Sequence, residues 1–323
     1  MRLFKFLDHI NYDFVRQRYI AFFVTGLMVV GSFGLLGFKG LNLGIDFTGG
    51  IMMEIKTPEA PDLITMREQL NGLGLGDISI QEFGTPQNLL IRVPEQKGGV
   101  DAQKNAIETI KTTISGEFAG KAVEYQRSEY VGPQVGDELK RSGVIAFVLT
   151  IIGIMGYIWY RFEWQYGVAA ILSLVHDTTA VVGLFSLMWM HFDLGTLAAV
   201  LLVAGYSTND TVIVFDRIRE NRRKFKKMSM RDVINLSVNQ TLTRTINTSL
   251  TTLLSLVALW LFGGEVIRDF ANAMIFGILI GTYSSIYVAS SALLYFPFSN
   301  DDKRDSSDVS KDTGKDTGET VKA

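Results

Sequence analysis

Gly205-Tyr206-Ser207-Thr208-Asn209-Asp210-Thr211-Val212-Ile213-Val214-Phe215-Asp216 closes an apolar run that opens at Leu194. Leu194–Phe215 is long enough to cross a hydrocarbon layer of ~30 Å as a helix rising ~1.5 Å per residue. Asn209 and Asp210 therefore sit inside a membrane span. A charge at such depth costs several kcal/mol and is rarely left without a partner or a task. Arg244, at the head of the next apolar run, is the expected partner. That pair organises the reading of the chain.

Working outward, five further runs have the same character: Ile20–Phe38, Gly143–Tyr160, Val168–Met190, Ile246–Phe262 and Phe270–Phe296. They account for a composition that is 47% hydrophobic, and they make the chain a multi-span membrane protein with one soluble domain. Residues 1–38 hold a short basic N-terminus (Arg2, Lys5, Arg16, Arg18) and the first span. That run is too long for a signal-peptide core, and no small-residue cleavage site follows it, so it is expected to be an uncleaved anchor.

Residues 39–141 carry alternating strand and helix signals. Ile51–Lys56 reads as a strand and Pro61–Gly72 as a helix. Ile78–Phe83 and Leu89–Val93 read as strands joined by a Gly-Thr-Pro-Gln-Asn turn. Asp101–Phe118 reads as a helix and Lys121–Tyr130 as a last strand. The order β-α-β-β-α-β predicts a small ferredoxin-like α+β unit. Residues 142–297 form a five-helix transmembrane bundle with a basic polar loop at 216–245. The tail 298–323 is almost free of apolar residues and is expected to be disordered.

Basic residues at the N-terminus, at Arg161 and from Arg217 to Arg231 fall on one side of the six spans. The positive-inside rule makes that side cytoplasmic, so both termini are cytoplasmic and residues 39–141 extracytoplasmic. Topology thus explains the basic loop without nucleic acid, and no aromatic stacking residues are interleaved with it. The net charge of −2 leaves no global field to attract a polyanion, and the absence of cysteine excludes disulfides, thiolate catalysis and cysteine metal sites. No phosphate-binding loop, nucleophile elbow or zinc helix is present, so no ATPase or hydrolase site, no catalytic residue and no cofactor is expected.

Within the spans, burial disfavours the charged form of Asp210 and a neighbouring guanidinium favours it. A carboxylate that gains and loses such a neighbour binds and releases a proton; one that keeps it is a structural ion pair. Arg244, Thr248, Thr251, Thr252 and Ser255 share one helix face, a polar stripe that either holds water or bonds its own backbone. His176 and Asp177 lie in the third span. Adjacent helical residues point about 100° apart, so they are not expected to face one partner, and with no second histidine nearby they suit a proton relay or polar packing better than a metal. Ala273, Gly277, Gly281, Ser285 and Ala289 recur every fourth residue, a spacing that lets helices approach closely. Since the Asn209-Asp210 segment is not repeated, that stripe is expected to face a homologous six-span protein.

Leu41-Asn42-Leu43-Gly44-Ile45-Asp46-Phe47-Thr48-Gly49-Gly50 resembles the motif that opens the first periplasmic domain of the SecD/SecF family. Val175-His176-Asp177, Gly205–Asp210, Asp216–Asn221 and Thr241–Thr245 resemble its SecF branch, and the likeness runs from about residue 5 to about 297. The resemblance implies half of an RND-type transporter, with six spans and a periplasmic domain between the first two. It also implies SecD, YajC and the SecYEG channel as partners, unfolded exported proteins as cargo, the bacterial inner membrane as location, and protons as coupling ion. Asp210 and Arg244 match the family's proton-pathway aspartate and arginine, and Asn209, Thr248, Asp177 and His176 are the further proton-pathway candidates read from the residues. Gly44, Asp46, Gly49 and Gly50 match its periplasmic motif. Two other classes compete: an RND-like small-molecule exporter, disfavoured by so small a domain, and a passive scaffold of the translocon.

Overall fold

A computed structural model describes residues 12–83, 85–118 and 121–298. The tail expected to be disordered (apart from Phe298) and most of the basic N-terminus lie outside the described residues. Six helices are long and apolar enough to span a membrane. They are α1 (Arg18–Phe38), α5 (Pro133–Arg161), α6 (Trp164–Met188), α7 (Leu194–Lys224), α8 (Met230–Phe262) and α9 (Glu265–Tyr283), the last continuing through a π-turn at Ser284–Ala289.

Between α1 and α5 the chain forms β1 (Asn42–Leu43), a one-turn helix α2 (Ile45–Thr48), β2 (Gly50–Lys56), α3 (Leu63–Asn71), β3 (Ser79–Phe83), β4 (Thr85–Val93), α4 (Gly99–Glu117) and β5 (Glu124–Val131). The four long strands form an antiparallel sheet in the order β3-β4-β2-β5, the ferredoxin-like arrangement that the element order predicts. Alternation sets the inner face: Ile51, Met53 and Ile55 pair with Val93, Ile91 and Leu89, and all six are buried. Met66 and Leu70 of α3 and Ile110 and Ile114 of α4 close the core. α3 begins where Asp62 accepts a hydrogen bond from the Ile64 amide at 3.0 Å. The turn expected over Gly84–Asn88 is shorter: from Thr85 onward those residues extend β4 and pair with β2 and β3, ladder bonds outweighing the turn preference of Pro86 and Asn88.

A second small sheet escaped the sequence reading. β1 pairs in parallel with β6 (His191–Phe192), matching Asn42 with His191 and Leu43 with Phe192. It ties the exit of α1 to the link between α6 and α7. Phe47 of α2 packs beside it on Phe192, with ring centres 6.2 Å apart, and joins Phe185, Val200 and Val203 in one core.

The expected polar loop 216–245 is mostly helix, and only residues 225–229 lie between α7 and α8. Arg, Lys and Glu are good helix formers, and their long stems cover the apolar side of the extended helices. Ile218, Val233, Ile234 and Val238 pack there with Phe14 and Val15. Asn221 Nδ2 donates to Ser237 Oγ at 2.9 Å and to Gln240 Oε1 at 2.8 Å.

The small-residue stripe of α9 is also placed differently from the expectation. A Cβ on Gly277 would stand 2.2 Å from Val203 Cγ2, and one on Gly281 would stand 2.9 Å from Ser207 Cβ. The stripe therefore packs on α7 of the same chain, not on a second protein. Small residues reveal a close approach without naming the helix that approaches. Gly277→Leu is expected to destabilise the isolated chain by at least ~1–3 kcal/mol through overpacking. Thermal unfolding of the purified chain in detergent, with no other subunit present, measures this; an unchanged midpoint would return the stripe to an outer interface.

Candidate functional site

On α7, Ser207, Asp210, Thr211 and Val214 share the buried face, while Gly205 and Asn209 lie exposed. Asp210 is 1% exposed. Neither of its carboxylate oxygens has a hydrogen-bond partner among the described residues. The expected ion pair with Arg244 is not formed. α8 turns Thr241, Thr245 and Ser249 inward, and Arg244, one position off that face, points outward. The side chain lines an open groove of about 1010 Å³ with Arg161, Asp216, Arg223 and Gln240. Arg161 and Asp216 pair across that groove at 3.0 Å.

Asp177 of α6 contrasts with Asp210. It is fully buried, yet it is densely bonded. Its Oδ1 meets His176 Nδ1 at 2.9 Å. Its Oδ2 accepts from Ser207 Oγ of α7 and from Ser284 Oγ, the latter at 2.8 Å. Ser173 Oγ donates to Ser284 Oγ at 2.9 Å, and Thr211 and Ser285 hydroxyls meet at 2.8 Å. The π-turn makes this knot possible. Its wider register turns the neighbours Ser284 and Ser285 inward together, one to α6 and one to α7. His176 and Asp177 do diverge along the helix, but the imidazole folds back onto its neighbour, a contact that the angular argument did not anticipate. His176 Nε2 is buried without a partner among the described residues.

The α8 stripe behaves as a self-bonded face. Thr248 Oγ1 donates to the carbonyls of Arg244 and Thr245 at 3.1 and 2.9 Å, Thr252 to that of Thr248 at 2.9 Å, and Ser255 to that of Thr251 at 3.2 Å. Thr252 also reaches across to the Tyr206 hydroxyl at 3.3 Å.

The Gly44–Gly50 segment is the join between the sheet domain and the bundle. The Gly44 amide donates to Phe192 O at 2.9 Å, and the Leu194 amide donates to Asp46 Oδ2 at 3.1 Å. Asp193 caps α7 by accepting from the Thr196 amide at 2.7 Å. Asp46 therefore grips the first turn of the helix that carries Asp210 ~24 Å further on. Gly49 and Gly50 hold φ of 72° and 127°, and a Cβ on Gly50 would lie 2.5 Å from Val93 O, so only glycine fits there.

A second tie runs from β4. Arg92 Nη1 donates to His191 Nε2 at 2.7 Å, over a cavity of about 250 Å³ that Asp46, Asp193 and Asp269 also line. Burial, then the Arg92 charge, holds the His191 imidazole down at about 4, so it stays neutral and free to accept. The sequence reading gave no site role to Ser173, Ser207, Ser284, Arg92 or His191, and it placed Ser285 only in the packing stripe. The tandem serines in the last apolar run were the available signal for the knot; no local pattern announces the Arg92–His191 contact.

Comparison with known proteins follows the same lines. The family model for the C-terminal part of protein export membrane proteins SecD/SecF matches residues 99–298, and that for the SecD/SecF GG motif matches 34–57. Protein translocase subunit SecF of Rickettsia akari is 43% identical over 292 residues, covering 90% of this chain and 93% of its own. That of Pseudomonas aeruginosa is 41% identical over 290 residues, with 90% and 93% covered. The crystal structure of SecDF, a translocon-associated membrane protein from Thermus thermophilus, aligns with a TM-score of 0.79 at 36% identity, over 89% of this chain and 39% of that one. This chain thus spans about two fifths of the length of that solved protein.

The His191 contact sets a pH dependence. Above the ordinary histidine value of 6.5, both folded and unfolded His191 are neutral and the tie is intact. As pH falls from 6.5 towards about 4, the unfolded imidazole takes a proton that the folded one refuses, so stability declines across that window and levels off below it. Denaturant unfolding of the sheet domain in the full chain is expected to show this slope, and His191→Gln to flatten it between those limits. An equal slope in both proteins would remove His191 from the join.

Proposed function

The chain belongs to the SecD/SecF family of protein export membrane proteins, and on that footing we propose that it is the proton-coupled SecF-type half of an assembly that helps exported polypeptides cross the bacterial inner membrane. Its six spans and ferredoxin-like domain are the RND-type half found in SecDF. Asp210 is the proton carrier in this reading, and Arg244 is the cation that meets it in the other state of the cycle. The supporting observation is the bare carboxylate: Asp210 is buried with both oxygens unpartnered among the described residues. Such a group is expensive as an anion in hydrocarbon, and either a proton or an arriving guanidinium removes the cost. Arg244 stands on the neighbouring helix in an open groove. Moving one charge through the potential supplies ~2.3 kcal/mol per 100 mV, a bias of tens of fold on a two-state equilibrium.

The knot at Asp177 holds α6, α7 and the π-turn together, so a shift of α7 moves them as one body, and Asp46 carries that shift to the domain. By the positive-inside rule the groove faces the cytoplasm, as both termini do, and residues 39–141 face the periplasm. Exposed Asn209 on α7 and Thr251 and Ser255 on α8 suit a protein neighbour better than lipid, which favours a SecD-type partner on that face. YajC and the SecYEG channel complete the proposed assembly. The chain performs no catalysis of its own here, and protons are its only coupling ligand.

Translocation into inverted vesicles, begun by ATP and SecA and followed with the proton gradient on and off, tests the reading. Asp210→Asn is expected to stay folded and assembled yet lose the gradient-dependent gain, and Arg244→Met to fail in the same way. If Asp210→Asn keeps the full gain, Asp210 is a structural residue and the chain acts as a scaffold; if a small molecule moves in place of a polypeptide, the exporter reading prevails.

A further inference from the structure

We propose that the crevice between α1 and α5 binds one anionic phospholipid, with an acyl chain in the slot and the phosphate on Lys140. Both helices rest on α6, and between them opens a cavity of about 520 Å³. Leu36, Phe47, Phe147, Val182 and Leu197 give it apolar walls. That volume lies within the ~300–1,000 Å³ usual for small-ligand sites, enough for a chain of methylenes.

Lys140 is the one charged side chain lining the slot. It shares a face of α5 with Gly143, Val144 and Phe147, at steps of three and four. No hydrogen bond or ion pair joins it to any described residue. Arg141 follows it, and Lys39 stands at the end of α1, its Nζ donating to Leu187 O at 3.0 Å and lying 5.2 Å from the Trp189 ring. A tryptophan and lysines at one level mark the bilayer interface. The site thus offers an apolar slot at the end of two spanning helices, with an exposed ammonium beside it that no described residue engages. That is the complement of an anionic phospholipid. A zwitterionic lipid brings the same phosphate with a cation of its own that offsets the attraction, and a free phosphate would leave the slot empty.

The test uses the full-length chain, stripped of lipid in detergent and titrated with dioleoylphosphatidylglycerol or dioleoylphosphatidylcholine, with bound lipid counted by native mass spectrometry. The first phosphatidylglycerol is expected to be held about five-fold more tightly than phosphatidylcholine, the worth of one lysine at an anionic headgroup. Lys140→Gln, an exposed exchange that does not threaten folding, is expected to equalise the two, while Lys104→Gln on the sheet domain leaves the preference intact. Val144→Trp, which fills the slot from a position 60% exposed, is expected to weaken retention of both lipids. Equal binding of the two lipids by the unmodified chain, or an unchanged preference in Lys140→Gln, would overturn the proposal. So would efficient crosslinking of a Val144→Cys chain, otherwise free of cysteine, to another subunit in the intact assembly, because a protein segment would then cover the slot.

Discussion

A carboxylate inside hydrocarbon has to be met by hydrogen bonds or by a counter-charge, and the two buried aspartates of this bundle meet that demand in opposite ways. Asp177 is answered in place by His176, Ser207 and Ser284, drawn from two helices and a π-turn. A network so fully bonded fixes the relative positions of its helices, since sliding any of them leaves a buried polar group unpaired. Asp210, one turn along α7 from Ser207, is answered by no described residue. The same helix therefore carries a locked residue and an unanswered one.

The domain outside the membrane is bound to this helix by its head. Asp46 and Asp193 between them take the amides of Leu194 and Thr196, the first donors of α7 that have no partner within the helix. Phe47 and Phe192 bury the join in apolar contact, and Arg92 reaches from the sheet to His191 two residues before α7 begins the cap. A stiff helix of ~1.5 Å per residue then connects the two ends. This is contiguity of packed elements, the material through which coupling can travel, and measured coupling between Asp210 and Asp46 would turn the path into a mechanism.

Much of this arrangement was legible in the residues. Long apolar runs leave no solution but spanning helices, because lipid offers no partner to the backbone, and all six were readable. The alternation at Ile51, Met53 and Ile55 and the spacing of Ile110 and Ile114 gave the soluble fold. What stayed hidden has physical causes. β1 and β6 are two residues each, too short for any period to register. The π-turn looks like ordinary helix in sequence, since only its hydrogen-bond step differs. Basic residues from Arg217 to Lys224 read as loop by their polarity alone, though their stems serve a helix well. Arg244 was legible as a residue that matters, but its outward rotation depends on which faces of α8 pack, and that is settled by Thr241 and Thr245 inside rather than by Arg244 itself.

The rotation of Arg244 carries the last step. Had the guanidinium pointed inward, it would have joined Asp210 in a buried pair whose separation costs several kcal/mol, more than one proton's passage readily supplies. Placed in a groove where Arg161, Asp216 and Arg223 share the space, it remains solvated and can turn at little cost. On the proposed reading the bare Asp210 and the solvated Arg244 would be two halves of one equilibrium, one favoured by a proton on the carboxyl and the other by its loss. A poised pair suits a device driven by a modest potential, whereas a tight pair suits only a strut, and the serine knot at Asp177 shows that this chain builds its struts from hydrogen bonds.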